Sequence, residues 1–153
     1  MRYVLLDRIT ELKPPERATG VKCVSLSDDF FVDHFPGIPV MPGALILEGL
    51  SQLGGTLLEA TMRERGHPTT SALLTMIDRA KFRNPVRPGD RLELETVVLA
   101  FSENAGQVQG VARVEGKIVA EASITFAFVE VKNEKLLSSR AEYLKILLTG
   151  ASE

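Results

Sequence analysis

The chain predicts an α+β fold: an antiparallel sheet of about six strands wrapped round one long central helix, with a short C-terminal helix added. Three observations carry this. From about Gly43 to Arg65 runs a helical stretch whose first half leaves little room for a wide polar stripe, with Ala44, Leu45, Ile46, Leu47, Leu50, Leu53, Leu57, Leu58 and Met62. A helix apolar nearly all round belongs in a core. Several other segments alternate apolar and polar residues at the period of a half-buried strand. Turn-forming clusters, with no long linker, separate those segments.

In order, Tyr3 to Leu12 and Arg17 to Leu26 read as strands around the turn Lys13-Pro14-Pro15-Glu16. A Pro-rich loop leads into the helix, which Gly66-His67-Pro68 ends; Arg63 and Arg65 sit at the negative end of its dipole. Four strands follow at about 71–84, 90–102, 106–115 and 117–131, separated by Pro88-Gly89-Asp90, Asn104-Ala105-Gly106 and Glu115-Gly116-Lys117. In the last, Ile118, Ala120, Ala122, Ile124, Phe126 and Phe128 share one face; Leu92, Leu94, Thr96 and Val98 repeat the pattern. Gly49, Gly54 and Gly55 each weaken the helix by about 1 kcal/mol relative to alanine, so something should approach its backbone closely: a neighbouring element or an acyl chain. Ser139-Arg140-Ala141-Glu142 reads as a capping box opening a last helix. Leu137, Ala141, Leu144 and Leu148 form its stripe and Gly150 its stop. The expected organisation is a domain over residues 1–132 and a helical extension over 133–153.

With 153 residues the chain suits one domain. Eighteen basic against 20 acidic residues give net charge −2, which argues against nucleic acid as the main partner. The single cysteine, Cys23, excludes an internal disulfide and a cysteine-based zinc cluster; no metal and no cofactor is expected. Met1 to Asp7 is too soon interrupted by acid for a signal peptide, and no apolar run reaches membrane-spanning length. A reducing, cytoplasmic setting is the expectation.

The chemistry points to Asp33-His34-Phe35-Pro36-Gly37-Ile38-Pro39-Val40-Met41-Pro42-Gly43, followed by Ala44-Leu45-Ile46-Leu47-Glu48. Histidine exchanges a proton near neutral pH, and a carboxyl group follows within an apolar run, as acid–base work on an apolar substrate requires. Leu45, Leu47 and Leu50 surround Glu48 in sequence, and Gln52 lies four residues on, on the same helical face. The other histidine, His67, stands in a Gly-His-Pro loop with no such setting.

These residues resemble the beta-hydroxyacyl-acyl-carrier-protein dehydratases of the FabZ type, which have the hot-dog fold. The resemblance rests on His34 to Gly37, Pro39 to Gly43, Leu45 to Glu48 and Gln52. A second block runs from Ile77 to Val86, then Pro88-Gly89-Asp90 and Val119-Ala120-Glu121-Ala122. It implies that His34 and Glu48 are the catalytic pair, that His34 of one subunit meets Glu48 of its partner, and that dimers often assemble into trimers of dimers. Three departures stand out: Asp33 where the family commonly has glycine, a nearly absent segment before the first strand, and about twenty residues beyond the usual end.

The chemistry so implied is loss of water from a 3-hydroxyacyl thioester. His34 is then the base, with Phe35, Pro36 and Gly37 fixing the approach and keeping water sparse. The backbone N–H of Gly43, or a neighbour, polarises the thioester carbonyl at the helix start. Glu48 protonates the leaving hydroxyl, oriented by Gln52. Arg79, Lys81 and Arg83 alternate along one strand and should share a face, a surface for an acidic acyl carrier protein. The competing readings are a hot-dog thioesterase, a non-catalytic acyl-binding subunit, and a double-bond isomerase, which Glu48 disfavours. Acyl chain length and the choice between carrier protein and coenzyme A are not legible.

Overall fold

A computed structural model describes residues 1–151; the last two residues of the expected extension, Ser152 and Glu153, lie outside the described residues. The strands are β1 (Arg8–Lys13), β2 (Arg17–Cys23), β3 (Thr70–Phe82), β4 (Arg91–Phe101), β5 (Ala105–Val114) and β6 (Lys117–Glu130). The helices are α1 (Gly43–Glu64) and α2 (Glu134–Leu147), with a 3-10 turn at Asp29–Phe31. The strands form one sheet in the order β1-β2-β4-β5-β6-β3, and every neighbouring pair is antiparallel.

Alternation decides which face of the sheet meets α1. Leu92, Leu94 and Thr96 of β4, Val108 and Ala112 of β5, and Ala120, Ala122, Ile124 and Phe126 of β6 are all buried. Against them lie Leu50, Leu53, Leu57 and Leu58 of α1, each with no exposed surface. Burying a leucine side chain is worth about 1.5–3 kcal/mol, so these four hold the helix to the sheet. At Gly49 and Gly54 the expected close approach comes from the protein itself, whereas Gly55 has only ordinary contacts and lines a cavity. A Cβ on Gly49 would lie 2.9 Å from the Leu5 carbonyl oxygen, and one on Gly54 would lie 2.8 Å from Val108.

The structure corrects several boundaries. Residues 3–7 are not strand. Gln52 of α1 binds their backbone, and pairing with β2 starts in full at Arg8. β2 stops at Cys23, after which Val24 bonds the loop residues Gly89 and Asp90 instead of a strand. The last helix begins five residues before Ser139, at Glu134: Asn133 is its N-cap and accepts the Leu136 N–H at 3.1 Å. The supposed capping box therefore lies inside α2. Asn133 wins because it stands three residues past the end of β6 and its side chain satisfies an orphan N–H there.

The two edges of the sheet differ. β1 is short. β3 is 13 residues long and exposed from Leu73 onward. Leu73 (57 % exposed), Met76 (50 %) and Phe82 (54 %) make it an apolar edge with unpaired backbone groups, the kind of surface that pairs with another chain.

Candidate active site

His34 sits in a loop that its own backbone closes. Phe35 and Ile38 exchange N–H to carbonyl hydrogen bonds of 2.9 Å in both directions, and the Val40 N–H donates to the His34 carbonyl at 3.0 Å. Pro36 and Gly37 fill the turn between them. Gly37 has φ +76, a value glycine adopts without strain. The imidazole Nδ1 lies 2.7 Å from the Val40 carbonyl oxygen. A carbonyl only accepts, so Nδ1 carries the hydrogen and the neutral ring presents Nε2 as its free base. The Phe35 ring stacks on the imidazole at 3.9 Å between centroids. Asp33 is exposed, and the ring bonds Val40 rather than this carboxylate. His67 is exposed.

The loop delivers the chain to the start of α1. The Met41 N–H bonds the Val86 carbonyl, and both Leu45 and Ile46 donate to the Pro42 carbonyl. No side chain caps this end. The N–H groups of Gly43 and Ala44 are thus the unpaired donors at the positive end of the dipole. The space before the missing Gly43 side chain holds the Phe82 ring, whose Cε1 would lie 2.6 Å from an added Cβ. Within one chain the space of the missing side chain is taken by this aromatic ring.

One turn further, Glu48 is half-buried. Sequence neighbours do not enclose it, because each step turns about 100° round a helix; Leu47 and Leu50 point to the core and Glu48 points away from it. Gln52 meets it on the same face. Its Nε2 donates to Glu48 Oε1 and to the Tyr3 carbonyl, each at 3.1 Å, while its Oε1 accepts the Leu5 N–H at 3.1 Å. Gln52 therefore fixes both the carboxyl group and the N-terminal segment that crosses it. Glu48, Ser51 and Gln52 open on a cavity of about 510 Å³ bounded also by β3, β6 and α2.

His34 is not in the lining of that cavity. Phe35, Pro36 and Gly37 are exposed and enclose nothing within a single chain. The histidine loop and the carboxyl cavity are thus separate features of the single chain.

The basic strand differs from its expected form. Lys81 pairs with Glu121, but the register slips between Asp78 and Lys81, and Arg79 stands at this bulge with φ +55. The extra residue breaks the alternation, so the three cations do not share one face. Arg79 lies beside Asp78. Arg83, past the strand end, bonds Glu121 at 3.0 Å. That hydrogen bond holds the Glu121 carboxyl below the usual carboxylate range; desolvation opposes it, and the charges of Arg83 and Lys81 add lesser contributions in the lowering direction.

Sequence reasoning missed one polar group. Glu59 accepts the Ala72 N–H at 2.9 Å and bonds Arg140 of α2 at 2.6 Å. The signal was present: positions 48, 52 and 59 recur on one helical face. Among the described residues no group of histidine, cysteine, aspartate and glutamate is placed to hold a metal ion. No helix among them is long and apolar enough to cross a membrane.

A six-stranded antiparallel sheet around one helix, with this histidine loop and this carboxyl cavity, defines a class, and comparison with known proteins supplies the family. The model of the FabA-like domain matches residues 1–123. The chain is 46% identical over 129 residues to the 3-hydroxyacyl-[acyl-carrier-protein] dehydratase FabZ of Campylobacter jejuni, covering 84% of this chain and 88% of that one. The chain belongs to the FabA-like family, among its FabZ-type dehydratases. Solved structures with the same fold include the dehydratase heterocomplex ApeI:P from Xenorhabdus doucetiae, with TM-score 0.67, 16% identity and coverage of 90% of this chain and 89% of that one. A thioesterase from Haemophilus influenzae matches with TM-score 0.62 and 15% identity, covering 82% and 80%. Dehydratase and thioesterase share the hot-dog frame, so the frame does not choose the reaction.

Proposed function

We propose that this dehydratase removes water from 3-hydroxyacyl thioesters on acyl carrier protein, giving trans-2-enoyl thioesters, at sites shared by two copies of the chain. The observation that carries this reading is the Nδ1 contact to Val40, which leaves His34 Nε2 as the free base. In the proposed step Nε2 takes the proton from the carbon alpha to the thioester carbonyl. The electron pair of that C–H bond forms the new double bond as the bond to the beta hydroxyl breaks. Glu48, as the general acid, directly or through a water, gives a proton to the hydroxyl, which departs as water. The Gly43 or Ala44 N–H stabilises charge on the carbonyl oxygen, a contribution of about 3–4 kcal/mol for a comparable donor. Gln52 is a positioning residue that orients Glu48.

The exposed apolar edge of β3 supports pairing with a second copy, which would bring the Glu48 of one chain toward the His34 of the other. The dehydratase unit is residues 1–132, with 133–153 as an extension. Arg79, Lys81 and Arg83 form a broken basic surface for the acidic carrier rather than one row. The exposed lone thiol of Cys23 fits a reducing, cytoplasmic setting. Purified protein given 3-hydroxyacyl carrier substrates should yield product lighter by one water with no free thiol. Release of thiol without an enoyl product would replace this reading with a thioesterase.

A further inference from the structure

We infer that α2 is a wall of the acyl slot and that its Arg140, with Glu59, sets the far end, so that the C-terminal helix limits the acyl length accepted. The inference rests on the proposed reaction for the identity of the ligand. Its geometry stands apart from that reaction.

The cavity of about 510 Å³ has the size of a small-molecule site. One side is a single face of α1, beginning at Glu48 and running through Gln52 and Gly55 to Glu59. The opposite side is α2, through Leu137, Ala141 and Leu144. Leu6 and Phe126, both buried, complete an apolar stretch between the ends. An alkyl chain leaving the reacting carbons beside Glu48 has this stretch as its continuation.

About 16 Å along the helix from Glu48, the lining changes character. Glu59 Oε1 receives Arg140 Nη2 at 2.6 Å and the Ala72 N–H at 2.9 Å, and Arg140 Nη1 donates to Ser71 Oγ at 2.7 Å. The Glu59 side chain is 15 % exposed. An alkyl end passing this point must separate an ion pair whose carboxylate is sheltered while its guanidinium is partly open to solvent, and it offers no hydrogen bonds in return. The helix that supplies Arg140 is anchored: Leu147 is buried, and Tyr143 packs on the core with its hydroxyl 3.5 Å from the Leu6 carbonyl. Burial pushes the Tyr143 hydroxyl pKa up, assisted by Asp7 against a smaller effect of Arg2. The family model ends at residue 123, so this wall belongs to the part of the chain it does not match.

Two variants test the inference in the full-length protein. Ala141 lines the slot while remaining exposed, so Ala141→Phe adds bulk without displacing a packed side chain. Arg140→Met opens the far end and keeps an apolar stem on the surface. Each is assayed for kcat/KM on 3-hydroxyacyl carriers of butyryl to palmitoyl length, and for calorimetric binding of saturated acyl pantetheines over the same range. Ala141→Phe should lower the long-to-short ratio about tenfold or more in both assays, and Arg140→Met should raise it. Ratios equal to those of the unaltered protein in both variants, with thermal unfolding showing both folded, overturn the inference. If Ala141→Phe does not fold, Arg140→Met decides alone. An unaltered protein that dehydrates nothing, yet binds acyl chains with a length preference that the variants shift, would sink the dehydratase reading and leave the slot standing.

Discussion

The His34 loop and the Glu48 turn of α1 are built on opposite principles. The loop is exposed and held by backbone bonds among residues 34–40, with Val40 fixing the imidazole. Glu48 instead stands on a helix whose neighbours Leu47 and Leu50 are buried in the core, and it is tied through Gln52 to Tyr3 and Leu5, far off in sequence. A local device can present a base at the surface at almost no expense to the fold. A carboxyl group that must face an apolar cavity needs the whole scaffold behind it. The His34 loop lies outside the lining of the cavity that Glu48 faces, and on our proposal the β3 edge is where a second copy brings the two together.

The sharpest way to break this contrast is His34→Ala. Because the loop is closed by backbone bonds, turnover should fall about 10²–10⁴-fold while the thermal midpoint hardly moves; an active variant removes the base assignment. Next, His34→Ala and Glu48→Gln chains, each inactive alone, are denatured together and refolded. If each site takes one residue from each copy, about a quarter of full activity returns. Absence of recovery, with mixed dimers shown to form, would place both residues of a site in one chain.

Gln52→Ala probes the scaffold side. Loss of its bonds to Leu5, Tyr3 and Glu48 should destabilise the protein by about 1–3 kcal/mol in denaturant titration and lower kcat more than it raises KM. An unmoved midpoint would show that the N-terminal segment holds itself. The smallest effect belongs to the exposed Arg83–Glu121 pair. The folded carboxyl pKa is depressed, so its stabilisation is present above the ordinary carboxylate value and fades as pH falls through the lowered one. Arg83→Ala should flatten that acid limb slightly, which thermal unfolding across acidic pH reads.

Much of this molecule was legible from residues near one another. The apolar run from Ala44 to Met62 and the period-two faces of β4 and β6 announced helix and strands, since periodicity is a property of neighbours. The pattern from His34 to Glu48 marked the candidate site through the kinds of residue it contains. Alternation misled at Arg79, where a one-residue bulge set by pairing with β6 shifts the register. Ser139 misled as a cap because nothing local distinguishes it from Asn133, whose position just after the sheet makes it the cap.

The sequence by itself determined the elements, their order and the chemistry-bearing groups, because each depends on a few consecutive side chains and the torsions they allow. Only the tertiary structure decided that Gln52 would clamp the first residues, that Phe82 would cover Gly43, and that α2 would close over the face bearing Glu48 and Glu59. Those outcomes rest on contacts such as Arg140 to Glu59, 81 positions apart along the chain. A pair so distant meets only because burial of apolar surface has already fixed the frame around it.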